Sequence, residues 1–216
     1  MDEVISQFAN NIKVATYNLH GFNQDKILLP KILQFNNIVC VQEHWLASND
    51  IYMLAKLDET FIVYASSGMD KALCKSVLHG RPYGGVAIFV DNKIGKLCKL
   101  ISKNECCIML RVGHILLINV YMPCNNNDLY EEMLGYISNY ISSQSECDSV
   151  ILSGDFNLEF PLTNVLWKSF QAFLTDTKLN VTTSFLPNHG LSAYSYLHPT
   201  LNCSSLIDHF LLSDNT

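Results

Sequence analysis

An α/β fold of the α+β or layered kind is what the sequence predicts, and three observations carry that reading. Short β-rich runs alternate with only a few helical stretches. Neighbouring apolar runs are joined by tight turns as well as by helices, unlike a strict strand-helix alternation. With 49% hydrophobic residues among 216, the chain can bury a large core.

Along the chain, Lys13 to Tyr17 opens the series with strand-like alternation, and Gln24 to Phe35 follows as a helix. Ile38 to Gln42 is an apolar run of strand length, and Asp50 to Lys56 is a short helix. Thr60 to Ala65 and Gly85 to Val90 are further strands, and Asp91-Asn92-Lys93 reads as the turn of a hairpin leading to Lys96 to Ile101. Cys106 to Val112 and Ile115 to Tyr121 flank Gly113-His114, a tight hairpin. Asn127 to Ser142 is helical, because Leu129, Met133, Leu134, Ile137 and Ile141 recur at helical spacing behind the acids Asp128, Glu131 and Glu132. The strand Val150 to Ser153, the helix Thr163 to Lys178 and the strand Leu206 to Leu212 complete the series. No repeat or long polar linker divides it, so residues 1–216 read as one domain.

Composition narrows the function. The amino terminus MDEVISQFANN lacks the basic and apolar regions of a secretory signal, and no apolar run reaches the roughly 18 to 20 residues of a membrane span. Eight cysteines without a C-x-x-C pair, with Cys40, Cys98 and Cys107 in strand-like runs, fit an intracellular chain with reduced thiols and no zinc. A net charge of −6 argues against nucleic-acid binding through bulk charge. Yet between Lys71 and Lys103 seven basic residues face the single acid Asp91, a segment that suits either a polyanion or a lysine-guarded sheet edge.

Several strands end in polar residues. By strand parity Asn18 shares a face with Val14 and Thr16, Glu43 with Val39 and Val41, and Tyr121 with Leu117 and Asn119. Asp155, in SGDFN, shares one with Ile151 and Ser153, and Asp208 with Leu206 and Phe210. Any one of these alone is a turn former, a cap or a solvated edge residue. Several together, on ends of different strands, are how a site is built on a rigid sheet.

In order, VATYNLHG, VQEHW, NVYMPC, SGDFN and SSLIDHFLLS resemble the motif series of the endonuclease/exonuclease/phosphatase superfamily, which includes abasic-site endonucleases. RPYGGVAIFV and the Y-S-Y ahead of SSLIDHFLLS look most like the endonuclease domain of non-LTR (LINE-type) retrotransposons. The resemblance implies two packed, mostly antiparallel sheets flanked by helices, a four-layer sandwich lacking its final C-terminal strand. It implies Mg²⁺, or Mn²⁺ in its place, held by Glu43 with Asn18 beside it. Asp155 would orient or deprotonate the attacking water, with Asn157 on the same face as a donor to the phosphate or transition state. Gly154 would let the backbone turn there. Tyr121, Ser195 and Ser205 would contact the phosphate, although the two serines of a Ser-rich loop also suit purely structural hydrogen bonds. Asp208 would pair with a catalytic histidine.

In the family that histidine lies in a Ser-Asp-His motif on a further strand, whereas this sequence ends Ser213-Asp214-Asn215-Thr216. None of its seven histidines, His20, His44, His79, His114, His189, His198 and His209, sits in such a motif. The expectation is a fragment of a longer polyprotein or a degenerate copy, with weakened activity and an exposed sheet edge. The implied function is a DNA endonuclease that nicks its target for retrotransposition, linked in cis to a reverse transcriptase and acting in the nucleus. The alternatives are a hydrolase of the same fold acting on inositol phosphates, lipids or nucleotides, and a non-catalytic DNA- or protein-binding module.

Overall fold

The computed structural model describes residues 12–70, 83–124, 126–144, 147–159, 165–182, 194–197 and 203–214. The first half of the chain supplies β1 (Val14–Asn18), the helical turn α1 (Phe22–Asp25), α2 (Leu29–Phe35), β2 (Ile38–Gln42), α3 (Tyr52–Ala55), β3 (Phe61–Ser66) and β4 (Val86–Asp91). Its strands form a four-stranded sheet in the order β1-β2-β4-β3, with β1 and β2 parallel and the other neighbours antiparallel. The second half begins with β5 (Cys98–Lys103), β6 (Cys107–Val112), β7 (Ile115–Tyr121), α4 (Asn127–Ser143) and β8 (Ser149–Asp155). It continues with α5 (Val165–Thr177), β9 (Leu179–Val181), β10 (Tyr196–Leu197), β11 (Ser204–Ser205) and β12 (Asp208–Ser213). Its large sheet runs β5-β6-β7-β8-β12-β9, with β7 and β8 the parallel pair, and β10 pairs with β11 separately. Each large sheet is thus drawn from one contiguous half of the chain.

Three apolar layers join these elements. Between the sheets lie Ile38, Cys40, Ile88 and Val90 from one side and Ile108, Leu110 and Leu117 from the other. Outside the four-stranded sheet, Val39, Val41 and Phe89 meet Leu29, Leu33 and Leu54 of the helices. Outside the six-stranded sheet, Met109, Ile118 and Leu152 meet Tyr130, Met133 and Ile137 of α4 and Phe170 and Phe173 of α5. The result is helix, sheet, sheet, helix: the layered sandwich expected from the sequence, with mostly antiparallel sheets.

Local chemistry explains where the elements depart from expectation. The helix read as continuous from Gln24 to Phe35 breaks in two, because Pro30 falls in the first turn of α2 and has no N–H to continue a preceding helix. In α4 the Asn126 side chain accepts from Leu129 N at 3.0 Å and caps the helix. The buried stripe there is Tyr130, Met133, Leu134 and Ile137, while Leu129, part of the same periodic series, is 41% exposed. The Asp91-Asn92-Lys93 turn closes no hairpin, because β4 and β5 belong to different sheets. It starts the crossover between them, with Asp91 Oδ1 accepting from Lys93 N at 2.9 Å. The Gly113-His114 hairpin forms as expected, pairing Val112 with Ile115. The short strand β9 escaped the sequence reading; it pairs with Leu211–Ser213 of β12.

Of the basic run, Lys71, Lys75 and Arg81 lie outside the described residues. Lys99 and Lys103 are exposed on β5, an edge strand, the place where lysine discourages edge-to-edge pairing. No disulfide joins the described cysteines; Cys40 and Cys107 are buried, whereas Cys124 and Cys203 are exposed.

Gly154 sits within β8 rather than at a turn, opposite Val120 of β7, with φ 140. A side chain there would collide with the Val120 carbonyl, and that φ is open to glycine alone. Its close approach to β7 sets the level at which Asp155 leaves the sheet. Gly154→Ala is expected to lower stability by about 3 kcal/mol or more, read from urea unfolding; a loss under about 1 kcal/mol would show that the strands can separate to admit a methyl group.

Candidate active site

The strand ends converge at one end of the layer between the two sheets. Parity holds for four of the five residues: Asn18, Tyr121, Asp155 and Asp208 all face the inter-sheet layer, as do Val14, Leu117, Ile151 and Phe210 below them. Glu43 is the exception. Val39 and Val41, its expected companions, face the outer helices. The strand ends at Gln42, and left-handed backbone at Glu43 (φ 53) and Trp45 (φ 57) turns the carboxylate inward. The indole of Trp45 lies against Gly21, where any side chain would strike the ring. From that seat Trp45 Nε1 donates to Glu43 Oε2 at 2.9 Å.

One amide links the two sheets at this point. Asn18 Nδ2 donates to Glu43 Oε1 at 3.0 Å and to Asp155 Oδ2 at 2.8 Å. Asn18 Oδ1 accepts from His20 N at 3.1 Å, so its nitrogen, and not the oxygen expected beside a metal, faces the carboxylates. Asp155 Oδ1 accepts from Asn157 N at 2.8 Å. The Tyr121 hydroxyl also bonds Glu43, and burial together with the charges of Glu43 and Asp155 holds its pKa far above the usual phenol range. Tyr121 is therefore a neutral donor.

The other expected site residues have more structural partners. Asn157 is left-handed (φ 48), so strand parity does not extend to it, and its Nδ2 donates to Met122 O at 2.7 Å. Ser195 Oγ accepts from Ile207 N at 3.0 Å and Asp208 N at 3.1 Å, fastening the start of β12, and its hydroxyl also bonds the Asp208 carboxylate. Ser205 pairs with Tyr196 in the small ladder of β10 and β11. Among the described residues, Asp208 Oδ1 is buried with no protein donor. Burial raises the Asp208 pKa, Ser195 and His20 pull it down, and Glu43 raises it further.

His20, given no role from sequence, stands at the mouth with Nδ1 3.8 Å from Glu43 Oε1 and its ring 6.1 Å from that of Tyr196. Its only signal in the sequence is its position two residues after Asn18, just as Trp45 stands two after Glu43. His44 and His209 are buried on backbone carbonyls of Ser66 and Leu158, and burial lowers each pKa to about 4. Both are neutral, and His209 faces away from Asp208, as parity requires.

Asp155 is 1% exposed. Burial first, then the Asp208 charge, push its pKa up to about 7, against the lowering hydrogen bonds from Asn157 and Asn18 and with a smaller raising effect of Glu43. Among the described residues no three His, Cys, Asp or Glu side chains group as a metal cage. Two carboxylates around one amide nevertheless fit a hard cation such as Mg²⁺, which binds through one or two carboxylates and keeps waters for its remaining positions.

The sequence profile of the Endonuclease/Exonuclease/phosphatase family matches residues 15–216. No curated protein matches by sequence. The fold is similar to that of the 3′ phosphatase NExo from Neisseria bound to product DNA hairpin, with TM-score 0.70 and 18% identity over 94% of this chain and 87% of that one. It is also similar to the 3′-5′ exonuclease NExo from Neisseria meningitidis (TM-score 0.69, 18% identity, 94% and 87% covered). The AP endonuclease LMAP from Leishmania major has TM-score 0.67 and 14% identity over 94% of this chain and 79% of that one.

The Asp155 shift has a stability consequence of definite sign. An unfolded aspartate releases its proton near pH 4, whereas the folded carboxyl keeps it to about pH 7. Its contribution is therefore complete below about pH 4 and lost as pH rises through 7. In EDTA, Asp155→Asn is expected to gain on the wild type by about 2 to 3 kcal/mol between pH 5 and pH 8 in urea unfolding. Parallel pH profiles for the two proteins would refute the shift.

Proposed function

Because the chain belongs to the endonuclease/exonuclease/phosphatase family, we propose that it is a Mg²⁺-dependent phosphodiesterase that nicks DNA, with Mn²⁺ able to replace Mg²⁺. The observation that carries this reading is the single Asn18 amide joining Glu43 of one sheet to Asp155 of the other. Glu43 and Asp155 are the carboxylates that would hold the cation. Bound there, it would polarise the scissile phosphate and offset the charge that develops during displacement.

The chain's own groups do the rest. Asp155, fixed by Asn18 Nδ2 and by Asn157 N, is placed to orient or deprotonate an attacking water. The hydroxyl of Tyr121 remains protonated and donates to a phosphate oxygen. Asn18 holds both carboxylates at hydrogen-bonding distance from one nitrogen, so neither must reorganise when substrate arrives. Asp208 Oδ1 offers a buried acceptor beside them.

DNA is favoured as substrate by the retroelement-like RPYGGVAIFV and Y-S-Y motifs and by a similarly folded protein described as bound to a DNA hairpin. Cleavage leaving a 3′-hydroxyl and a 5′-phosphate would prime reverse transcription by an enzyme linked in cis, and the place of action would be the nucleus. None of the described helices is long and apolar enough to cross a membrane.

The test is nicking of supercoiled plasmid with Mg²⁺, beside turnover of inositol polyphosphates. Glu43→Gln and Asp155→Asn are each expected to lower kcat about 10²- to 10⁴-fold, and Tyr121→Phe about 10- to 10²-fold. Turnover of the inositol phosphates in place of plasmid would move the substrate class, and undiminished nicking by Asp155→Asn would remove the proposed base.

A further inference from the structure

The candidate site is divided between two sheets that share an apolar cluster, and apolar contact alone does not fix how one sheet is placed on the other. One residue layer below the site the chemistry changes. Asn119 of β7 is completely buried, and its Nδ2 donates to Val41 O at 3.0 Å and Ala87 O at 2.9 Å, on β2 and β4 of the opposite sheet. With both amide hydrogens so placed, Oδ1 must accept, and it does so from Gln42 Nε2 at 2.6 Å. Gln42 Nε2 also donates to Thr16 Oγ1 of β1 at 3.0 Å. Asn119 thereby reaches two strands of the facing sheet directly and a third through Gln42.

Its neighbours along each strand are the site itself. Tyr121 lies two residues beyond Asn119, Glu43 one beyond Gln42, Asn18 two beyond Thr16, and Asp155 two beyond Ser153, the register partner of Asn119. The polar layer carries a cost: Gln42 Oε1 is buried there with no donor among the described residues. Deeper positions on the same face, Leu117 and Ile38, are apolar. Hydrogen bonds are directional where apolar contacts are not, so sliding one sheet by a fraction of a strand spacing would break the three Asn119 bonds between the sheets together.

We infer that Asn119 is a positioning residue, which through Gln42 fixes the placement of Asn18 and Glu43 over Tyr121 and Asp155. Misplacement by about 1 Å can cost about 10²-fold in rate, so this bridge sets turnover although it touches no substrate. The kinetic arm of the test rests on the hydrolase reading above; a spectroscopic arm does not.

Asn119→Leu alone removes the acceptor of one Gln42 amide hydrogen and the donor to two backbone carbonyls, and is expected to lower both stability and kcat. In Gln42→Leu/Asn119→Leu the two side chains become apolar together and part of the lost stability returns, while the Val41 and Ala87 carbonyls still lack their Asn119 donor. The kcat of that double variant is expected to stay at least tenfold below wild type, with KM within about threefold. The second readout is the indole N–H resonance of Trp45, which reports its bond to Glu43 and is identified by its persistence in Trp167→Phe. It is expected to shift in the double variant, and this arm decides even if the wild type hydrolyses nothing. Recovery of kcat with stability, or an unmoved Trp45 signal, overturns the inference. Should the double variant not fold, Thr16→Val decides through the same readouts: an unchanged kcat and an unchanged indole signal overturn the inference, and a shift in the indole upholds it.

Discussion

Two carboxylates from different sheets share one amide nitrogen, and the layout of the site follows from the charge this gathers in a nearly dry place. Glu43 is 8% exposed and Asp155 1%. Burying unpaired carboxylates costs several kcal/mol each, and a neutral amide can orient them but cannot neutralise them. Glu43 therefore collects further donors from Trp45 and Tyr121. Asp155, closer to Asp208 and with fewer donors, holds its proton to about pH 7. Among the described residues no Lys or Arg pairs with these carboxylates, an imbalance that suits the cation proposed above.

The backbone at the strand ends bears strain that the three cores offset. His20, Glu43, Trp45 and Asn157 all adopt left-handed backbone, each at a cost of about 1 kcal/mol or more for a residue other than glycine. They follow β1, β2 and β8 closely, so the strain gathers where side chains must leave the plane of a sheet. Each is held by a specific contact: Trp45 by Gly21 and Glu43, Asn157 by Met122, His20 by Asn18.

Much of this was legible in the sequence, because it rests on period and order. The runs IVCVQ and ILLINVY have the length and apolar content of central strands, and both match the observed elements residue for residue. Asn18, Tyr121 and Asp155 could be assigned to the inner face because they still lie within their strands. Glu43 and Asn157 could not, since each follows a strand end and its direction depends on one left-handed residue that parity cannot foresee. The break at Pro30 was visible but outweighed by apolar spacing on both sides. The pairing of β4 with β3 and of β5 with β6 was hidden, because the Asp91-Asn92-Lys93 turn has the same local chemistry whether the chain folds back or crosses over. Asn119 and Gln42 had no signal at all: each is one polar residue at the end of an apolar run, and their partnership spans 77 positions.

Because each sheet comes from a contiguous half of the chain, with the crossover after Asp91 between them, assembly has a natural order. On the ribosome the first sheet and its helices can collapse while the second is still being translated. Neither half alone contains both Glu43 and Asp155, so chemistry is created by docking. Any hydrolytic power is thus withheld from the nascent polypeptide until its two halves have met.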